Sequence, residues 1–310
     1  ISEQTKNLIK KTAKEMGYLP NSQARALKIN KTNNLGVLFM DEAKSGLTHD
    51  YFSSVLESFK VRAESLGYDI TFISGSSQRK DKMSFLEHCR YRGFDGVMIA
   101  CTNFKDSEVK EQIQSKIPVV ILDYQYKNRI SLVSDNVKGI RDLVTYIYNR
   151  GHRRIAYIHG SLSSVVSTKR LASFTNTTKD LGLRIGKDYI RESEYRDVLA
   201  SERITKELLN LKSPPTCILY PDDYASYGGM RAIKESNLTI PGDISIAGYD
   251  GVRNMPFLDM QLTTIRQDTK QLGSLSALKL IELIENTKEA VIESIIVPGK
   301  LIKGNTVKKL

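Results

Sequence analysis

Acidic residues directly follow several short apolar segments of the chain, at positions suited to holding a polar ligand. They are Asp41 after Leu35–Met40, Asp123 after Val119–Leu122, Asp222 and Asp223 after Ile218–Pro221, and Asp250 after Ile244–Tyr249. An ionised carboxylate accepts hydrogen bonds from two neighbouring hydroxyls, so several carboxylates around one cleft suit a polyhydroxyl ligand. Each aspartate has an alternative role, that of capping the helix after it, and this applies most to Asp223.

The apolar segments alternate with amphipathic ones, which predicts strands and helices in a regular order. The predicted strands are 35–40, 68–74, 95–101, 117–123, 153–159, 216–220, 244–249 and 293–298. The predicted helices are 51–67, 79–93, 106–115, 136–150, 166–182, 223–236 and 268–285. This succession indicates an α/β fold with parallel sheets covered by helices on both faces. One series ends near Asp135 and a second follows it, so we expect two similar lobes with a ligand beyond the strands' carboxyl ends.

Signals of catalysis are absent from the sequence. No G-x-G-x-x-G motif follows the first strand, and there is no phosphate loop and no G-x-S-x-G elbow. The four histidines lack metal-ligand spacing, and Cys89, Cys101 and Cys217 form no C-x-x-C pair. We therefore predict no catalytic residue, no metal and no cofactor, which leaves an enzyme of sugar metabolism as the third-ranked alternative.

Positive charge is concentrated at the start of the chain. The 310 residues carry a net charge of +11, and residues 1–31 hold seven Lys or Arg against two Glu. Ser2 is positioned to cap a helix over 3–16 that Gly17 ends, and a short Ala/Leu-rich helix follows Pro20. This segment is either a solvated helix face or a contact to a polyanion. No apolar run has the length of a membrane helix and no leader segment is visible, so a cytoplasmic protein without a membrane partner is expected.

Five motifs occur in an order that resembles the lac-repressor (LacI/GalR) family of bacterial transcriptional regulators. They are Gly17–Asn21 with Ala24–Leu27, Gly151–Ile158, Arg170–Phe174, Ile240–Asp250 and Leu262–Ile265. The resemblance covers nearly the whole chain. It implies two lobes of the type I periplasmic-binding-protein kind, preceded by a hinge helix and part of a helical headpiece.

The resemblance also implies a division of the chain. Residues 1–19 would be the remnant of a helix-turn-helix headpiece whose start is missing, and 20–33 the hinge helix and its linker. Residues 34–135 with 267–297 would form the N-terminal lobe, and 136–266 with 298–310 the C-terminal lobe. The chain would pass between the lobes near 135, 266 and 298.

DNA contacts are expected from the hinge helix. Leu27 matches the family's leucine wedge in the minor groove, and Ala24 matches the small residue between two paired hinges. Asn21 and Arg25 would contact the backbone or groove edge. An apolar wedge partly unstacks a base step and bends the duplex. Two hinges from a homodimer imply a pseudo-palindromic double-stranded operator.

The effector site implied by the resemblance contains Asp123, Arg170, Tyr195, Asp222, Asp250 and Gln267, and we add Asp41 from its position after the first strand. Arg170 would donate paired hydrogen bonds to a ring oxygen and a hydroxyl, and Tyr195 would offer an aromatic platform. Asp222 stands where many relatives have Asn, which favours a hydroxyl-rich ligand over an anion. We therefore expect a repressor controlled by a small effector, a carbohydrate in the first instance. The alternative is a transport-type sugar-binding protein without a DNA role.

Overall fold

A computed structural model describes residues 2–18, 31–40, 45–73, 83–252, 260–286 and 290–310. Its α-helices are α1 (Glu3–Glu15), α2 (Asp50–Ser65), α3 (Phe85–Arg92), α4 (Ser107–Gln114), α5 (Asn136–Asn149), α6 (Val165–Asp180), α7 (Val198–Leu209), α8 (Ser226–Glu235) and α9 (Thr269–Glu285). Its strands are β1 (Asn34–Phe39), β2 (Asp69–Ile73), β3 (Gly96–Ala100), β4 (Val119–Leu122), β5 (Ile130–Ser134), β6 (Ile155–His159), β7 (Ile190–Glu192), β8 (Cys217–Leu219), β9 (Ser245–Ala247), β10 (Thr264–Arg266), β11 (Ser294–Val297) and β12 (Lys300–Ile302).

The α/β class with parallel sheets is confirmed. One sheet has six strands in the order β11-β5-β4-β3-β1-β2, and a second has four in the order β7-β6-β8-β9. All pairs in both sheets are parallel, and β10 and β12 form a separate antiparallel pair. The chain leaves the six-stranded sheet after β5, returns to it through α9 and β11, and leaves it again at β12.

Each sheet is covered on both faces by an apolar core. Phe59 of α2 and Leu280 of α9 lie in the core on one face of the six-stranded sheet, and Cys89 of α3 and Ile113 of α4 in the core on the other. The four-stranded sheet has one core with α5 and α6 and another with α7 and α8. The near-continuous burial of β3, β4 and β6 is what a parallel sheet between helices requires.

The first helix follows its local sequence signals. Ser2 accepts a hydrogen bond from the Thr5 backbone N–H at 3.2 Å, as predicted for an N-cap. Gly17 adopts the left-handed conformation (φ +65°) directly after the helix, which glycine does without strain. Leu8, Ile9 and Met16 are all exposed, so the apolar face of α1 contacts no core in the described chain.

Two predicted helices begin later in the structure than expected, and five elements were not predicted. The helix predicted over 79–93 begins only at Phe85, because Ser84 and Glu87 form a reciprocal capping box. The helix predicted from 223 begins at Ser226. The elements β5, β7, α7, β10 and β12 were not predicted.

Candidate effector site

Asp123 is held at the carboxyl end of β4 in a left-handed backbone conformation (φ +59°). Its backbone N–H donates to the Leu132 carbonyl at 2.8 Å, and its carboxylate accepts from the Tyr51 hydroxyl at 2.8 Å. Burial raises the pKa of Asp123 to about 6, against the opposing effects of the Tyr51 hydrogen bond and the Arg170 charge. The carboxyl is therefore protonated more readily than that of an exposed aspartate.

Arg170 lies in the second turn of α6 and is only 3% exposed. Its Nε donates to Asn136 Oδ1 at 2.7 Å and its Nη1 to the Pro221 carbonyl at 3.2 Å. The guanidinium carbon lies 3.6 Å from the ring centre of Tyr249, a cation–π distance. Nη2 is 3.8 Å from Asp250 Oδ1, beyond hydrogen-bond length. Nη2 is thus the guanidinium nitrogen best placed to donate to a ligand.

Asp250 and Gln267 form a second unit at the end of β9. Asp250 adopts a positive φ of +103°, and its backbone N–H donates to the Ile265 carbonyl at 2.8 Å. The Gln267 amide donates to Asp250 Oδ1 at 2.6 Å. Oδ1 is therefore occupied by Gln267, whereas Oδ2 accepts no hydrogen bond from the described residues. This leaves one carboxylate oxygen for a hydroxyl.

The carboxylates of the adjacent Asp222 and Asp223 have different partners, and neither caps α8. The N-cap of α8 is Ala225, which has no side-chain cap hydrogen bond, and Asp222 Oδ1 accepts from the Ala225 N–H at 2.7 Å in the turn before the helix. The carboxylate of Asp223 instead accepts from the Thr264 hydroxyl at 2.6 Å and the Val252 N–H at 2.8 Å. The expectation that Asp223 caps the helix was wrong, because its side chain turns back to join β10 to the loop after β9.

Both carboxyls are buried, and burial raises their pKa values. The pKa of Asp222 rises to about 6, because burial and the Asp250 charge outweigh its two backbone N–H donors. The pKa of Asp223 rises well above the ordinary range, with burial as the largest cause and the Thr264 hydrogen bond opposing it. Several carboxyls close together in an apolar setting disfavour ionisation of one another.

Tyr195 lies beside this cluster, half-buried. Its hydroxyl is 2.9 Å from Ser167 Oγ, and its ring centre is 5.8 Å from the Arg170 guanidinium carbon. A Cβ at Gly160 would approach the Tyr195 ring to 2.6 Å, so glycine there permits the ring's position. The ring borders the same space as Arg170.

Two side-chain contacts join the two sheets' lobes across this site. Arg196 Nη1 lies 2.8 Å from Asp50 Oδ2, and Lys169 Nζ donates to Gln125 Oε1 at 2.8 Å. The Arg196 guanidinium also lies over the Tyr224 ring at 4.1 Å, and its backbone N–H donates to Asp222 Oδ2 at 2.7 Å. Asp50 follows the carboxyl end of β1 and Arg196 follows that of β7, so these ends of the two sheets face one another.

The structure thus brings together six of the seven predicted effector residues. They are Asp123, Arg170, Tyr195, Asp222, Asp250 and Gln267. Asp41 lies outside the described residues, as do Asn21, Ala24, Arg25 and Leu27. Sequence reasoning missed Tyr51, Asn136 and Arg196. For Asn136 the sequence did contain a signal. It is a polar residue directly after Asp135, where a predicted helix begins and where the chain was predicted to pass from one lobe to the other.

Other site types find no support within the described ranges. No cluster of three potential metal ligands occurs there, and no disulfide joins the described cysteines. Among the described helices, none is long and apolar enough to cross a bilayer.

Comparison with known proteins gives a consistent result. A family model described as a periplasmic binding protein-like domain matches residues 144–307, over half of the chain. The HTH-type transcriptional repressor PurR of Klebsiella pneumoniae is 28% identical over 311 aligned positions, covering 99% of this chain and 89% of that protein. The repressor CytR of Escherichia coli is 26% identical, covering 92% and 82%.

Solved structures show the same relationship. A lac repressor dimer bound to operator and the anti-inducer ONPF has a TM-score of 0.79 at 27% identity, covering 94% of this chain and 99% of that one. A complex of the transcriptional regulator CelR with cellobiose has a TM-score of 0.76 at 19% identity, covering 99% and 91%. At 19% identity, the CelR structure shows likeness of fold alone.

Proposed function

The chain belongs to the lac-repressor (LacI/GalR) family, and on that premise we propose a DNA-binding repressor whose operator affinity is set by a small carbohydrate. The family's regulators are not enzymes, and both named relatives are transcriptional repressors. This disfavours the transport-type alternative. A repressor acts on DNA, so the cytoplasm is the proposed location.

The observation that carries the carbohydrate proposal is the set of donors and acceptors between the lobes. Asp123 and Asp250 come from different lobes and supply carboxylate oxygens, and Arg170 supplies donors from Nη2. A sugar presents adjacent hydroxyls that donate and accept, which matches such a set. Carboxylates repel an anion, so a phosphorylated metabolite fits poorly.

The coupling to DNA follows from the position of the lobes. Residues 34–135 with 267–297 and residues 136–266 with 298–310 are the two proposed lobes, and the effector contacts both. An effector that binds the closed arrangement better shifts the equilibrium towards it. We propose that this shift moves the hinge segments of a homodimer apart or together, with Leu27, Ala24, Arg25 and Asn21 contacting the operator.

The experiment is a thermal-shift screen of the chain against neutral sugars, sugar phosphates and nucleobases. A ligand at 100 times its dissociation constant stabilises the folded state by about 2.7 kcal/mol. We expect a neutral sugar to raise Tm, and Asp250→Asn to remove the shift while keeping a residue type that tolerates positive φ. The matched control is Asp188→Asn, an exposed aspartate outside the site, which keeps the shift.

Two results would refute parts of the proposal. A shift produced only by nucleobases or phosphates would reject the carbohydrate and retain the regulator. If Leu27→Ala kept operator-selective binding, as the exposed control Leu199→Ala is expected to do, the hinge wedge would be rejected.

A further inference from the structure

One end of the C-terminal lobe, at the amino edge of the four-stranded sheet, carries a concentrated positive charge. Six basic residues from three chain segments lie there, and we call them the distal basic surface. They are Arg150, Arg153, Arg154, Lys212, Lys308 and Lys309.

Specific contacts bring these segments together. The Thr216 N–H donates to the Arg154 carbonyl at 2.8 Å, and Arg154 Nε donates to the Pro214 carbonyl at 2.9 Å, which places Lys212 nearby. The Leu310 N–H donates to the Arg150 carbonyl at 2.8 Å. The buried His152 ring lies 2.9 Å from Thr216 Oγ1 and 3.1 Å from the Lys308 carbonyl, joining all three segments.

The charge of this surface is not neutralised by carboxylates. None of the six basic groups has a carboxylate oxygen within 4.0 Å among the described residues. Asp243 accepts two hydrogen bonds from Thr239, which lower its pKa most, and the Lys308 charge lowers it further, so its carboxylate offsets part of the charge of that lysine. The carbonyls at the end of α5 accept from Arg153, and such helix-end dipoles offset only part of a full charge.

The pKa of His152 responds to this field. Burial lowers it most, and the positive charges of Lys308, Arg150 and Arg153 lower it further, against the hydrogen bond to the Lys308 backbone. The surface also contains aromatic rings, since Arg153 lies 3.9 Å over the Tyr148 ring and Arg150 6.0 Å over that of Tyr146.

Topology places the distal basic surface opposite the point where the chain enters the N-terminal lobe. Arg154 precedes β6, at the amino edge of the four-stranded sheet. Thr32 contacts Asp95 at the amino edge of the six-stranded sheet, directly before β1. The carboxyl edges face each other through the Arg196–Asp50 pair, so the two amino edges lie at opposite ends of the core that the two sheets form.

We propose that the distal basic surface is a second, sequence-independent binding surface for duplex DNA, separate from the hinge segment. Regularly spaced phosphates suit a cluster of guanidinium and ammonium groups that form no ion pair with the described carboxylates, although Arg150, Arg153, Arg154 and Lys308 also donate to backbone carbonyls. Among polyanions we infer duplex DNA, because the proposed function already places the protein on DNA. This choice of partner rests on the proposed function. A protein bound through its hinge would reach a neighbouring DNA segment with its other end.

The test measures binding of a random-sequence 20-base-pair duplex to the full chain as a function of salt. The variant Arg154→Gln/Lys212→Gln/Lys309→Gln removes three exposed charges from the surface. Each lost phosphate contact lowers the log–log salt slope by about 0.9, so a decrease of about 2 to 3 is expected. The matched control Lys105→Gln/Lys110→Gln/Lys116→Gln removes equal charge from exposed positions of the other lobe and should leave the slope unchanged.

A second arm separates this surface from the basic helix α1. Replacing Lys6, Lys10, Lys11 and Lys14 by Gln should lower the slope independently, and the two decreases should add because no described contact joins α1 to the distal basic surface. Equal losses in the surface variant and its control would mean that only net charge matters, and would overturn the proposal. The proposal would also be overturned if the surface variant kept its salt slope for DNA but lost binding to anionic lipid vesicles. Operator-selective binding that survives either outcome leaves the proposed function standing.

Discussion

The Arg196–Asp50 ion pair provides a direct test of how the two lobes are held together. We expect Arg196→Gln and Asp50→Asn each to shift the protein towards an open arrangement. The atoms are 2.8 Å apart, and the side chains are 14% and 34% exposed, so the pair is intermediate between a surface and a buried salt bridge.

The expected coupling energy of the ion pair follows from its partial burial. At an effective dielectric constant of about 20, two unit charges 4 Å apart attract by about 4 kcal/mol. Desolvation and the ordering of two side chains oppose most of this attraction, leaving a coupling of about 1 kcal/mol. That corresponds to a change of about fivefold in the ratio of closed to open molecules.

The assay is a double-mutant cycle read by single-molecule energy transfer. Dyes at the exposed positions Lys105 and Lys187 report the distance between the lobes in both single variants, the double variant and the charge swap Asp50→Arg/Arg196→Asp. Arg203→Gln is the control, because its 2.9 Å ion pair with Glu207 lies within one helix. A coupling energy indistinguishable from zero would refute the role of this pair in closure. So would a charge-swap variant that does not restore the closed arrangement.

Two further predictions concern the site's carboxyls and packing. The pKa of Asp222 is raised on folding, so its contribution to stability is complete below the unfolded value near 3.8 and is lost as pH rises through about 6. Asp222→Asn should therefore gain stability relative to the natural chain between pH 4 and pH 7, by on the order of 1–3 kcal/mol in urea unfolding, and a pH-independent difference would contradict this. Gly139→Ala should lower stability by about 1–3 kcal/mol, because the new Cβ would lie 2.3 Å from the Tyr249 hydroxyl and displace the ring under Arg170. Gly186→Ala, which meets nothing within 4 Å, is its control, and equal Tm values for the two variants would argue against this packing role.

Sequence patterns predicted the fold because the burial of parallel strands is continuous and local. Val119–Leu122 and Ile155–His159 are buried throughout, and each is followed by a chemically distinct residue or turn. The strands β10 and β12 contain three residues each, too few for any periodicity. Helix α7 did offer a signal, since Asp197 caps it by accepting from the Ala200 N–H at 2.8 Å.

The site was predicted less completely, because some of its contacts join distant parts of the chain. Arg196 and Asp50 are 146 positions apart, and neither belongs to a local motif. Asp223 accepts from Thr264 instead of capping α8, and Thr264 lies in a strand that was not predicted. Strand ends identify which residues reach the cleft, whereas the partner of each carboxylate depends on the packing of both lobes.

The order in which the six-stranded sheet is assembled has a consequence for synthesis. Its strand β5 pairs on one side with β4 and on the other with β11, which leaves the ribosome after every described strand except β12. Until residues 294–297 emerge, the backbone groups of β5 remain an unpaired edge, and such edges promote association between nascent chains. The lobe that adjoins the hinge is thus completed after the whole four-stranded sheet has been translated. Premature termination would yield chains that carry the basic N-terminal segment on an unfinished lobe.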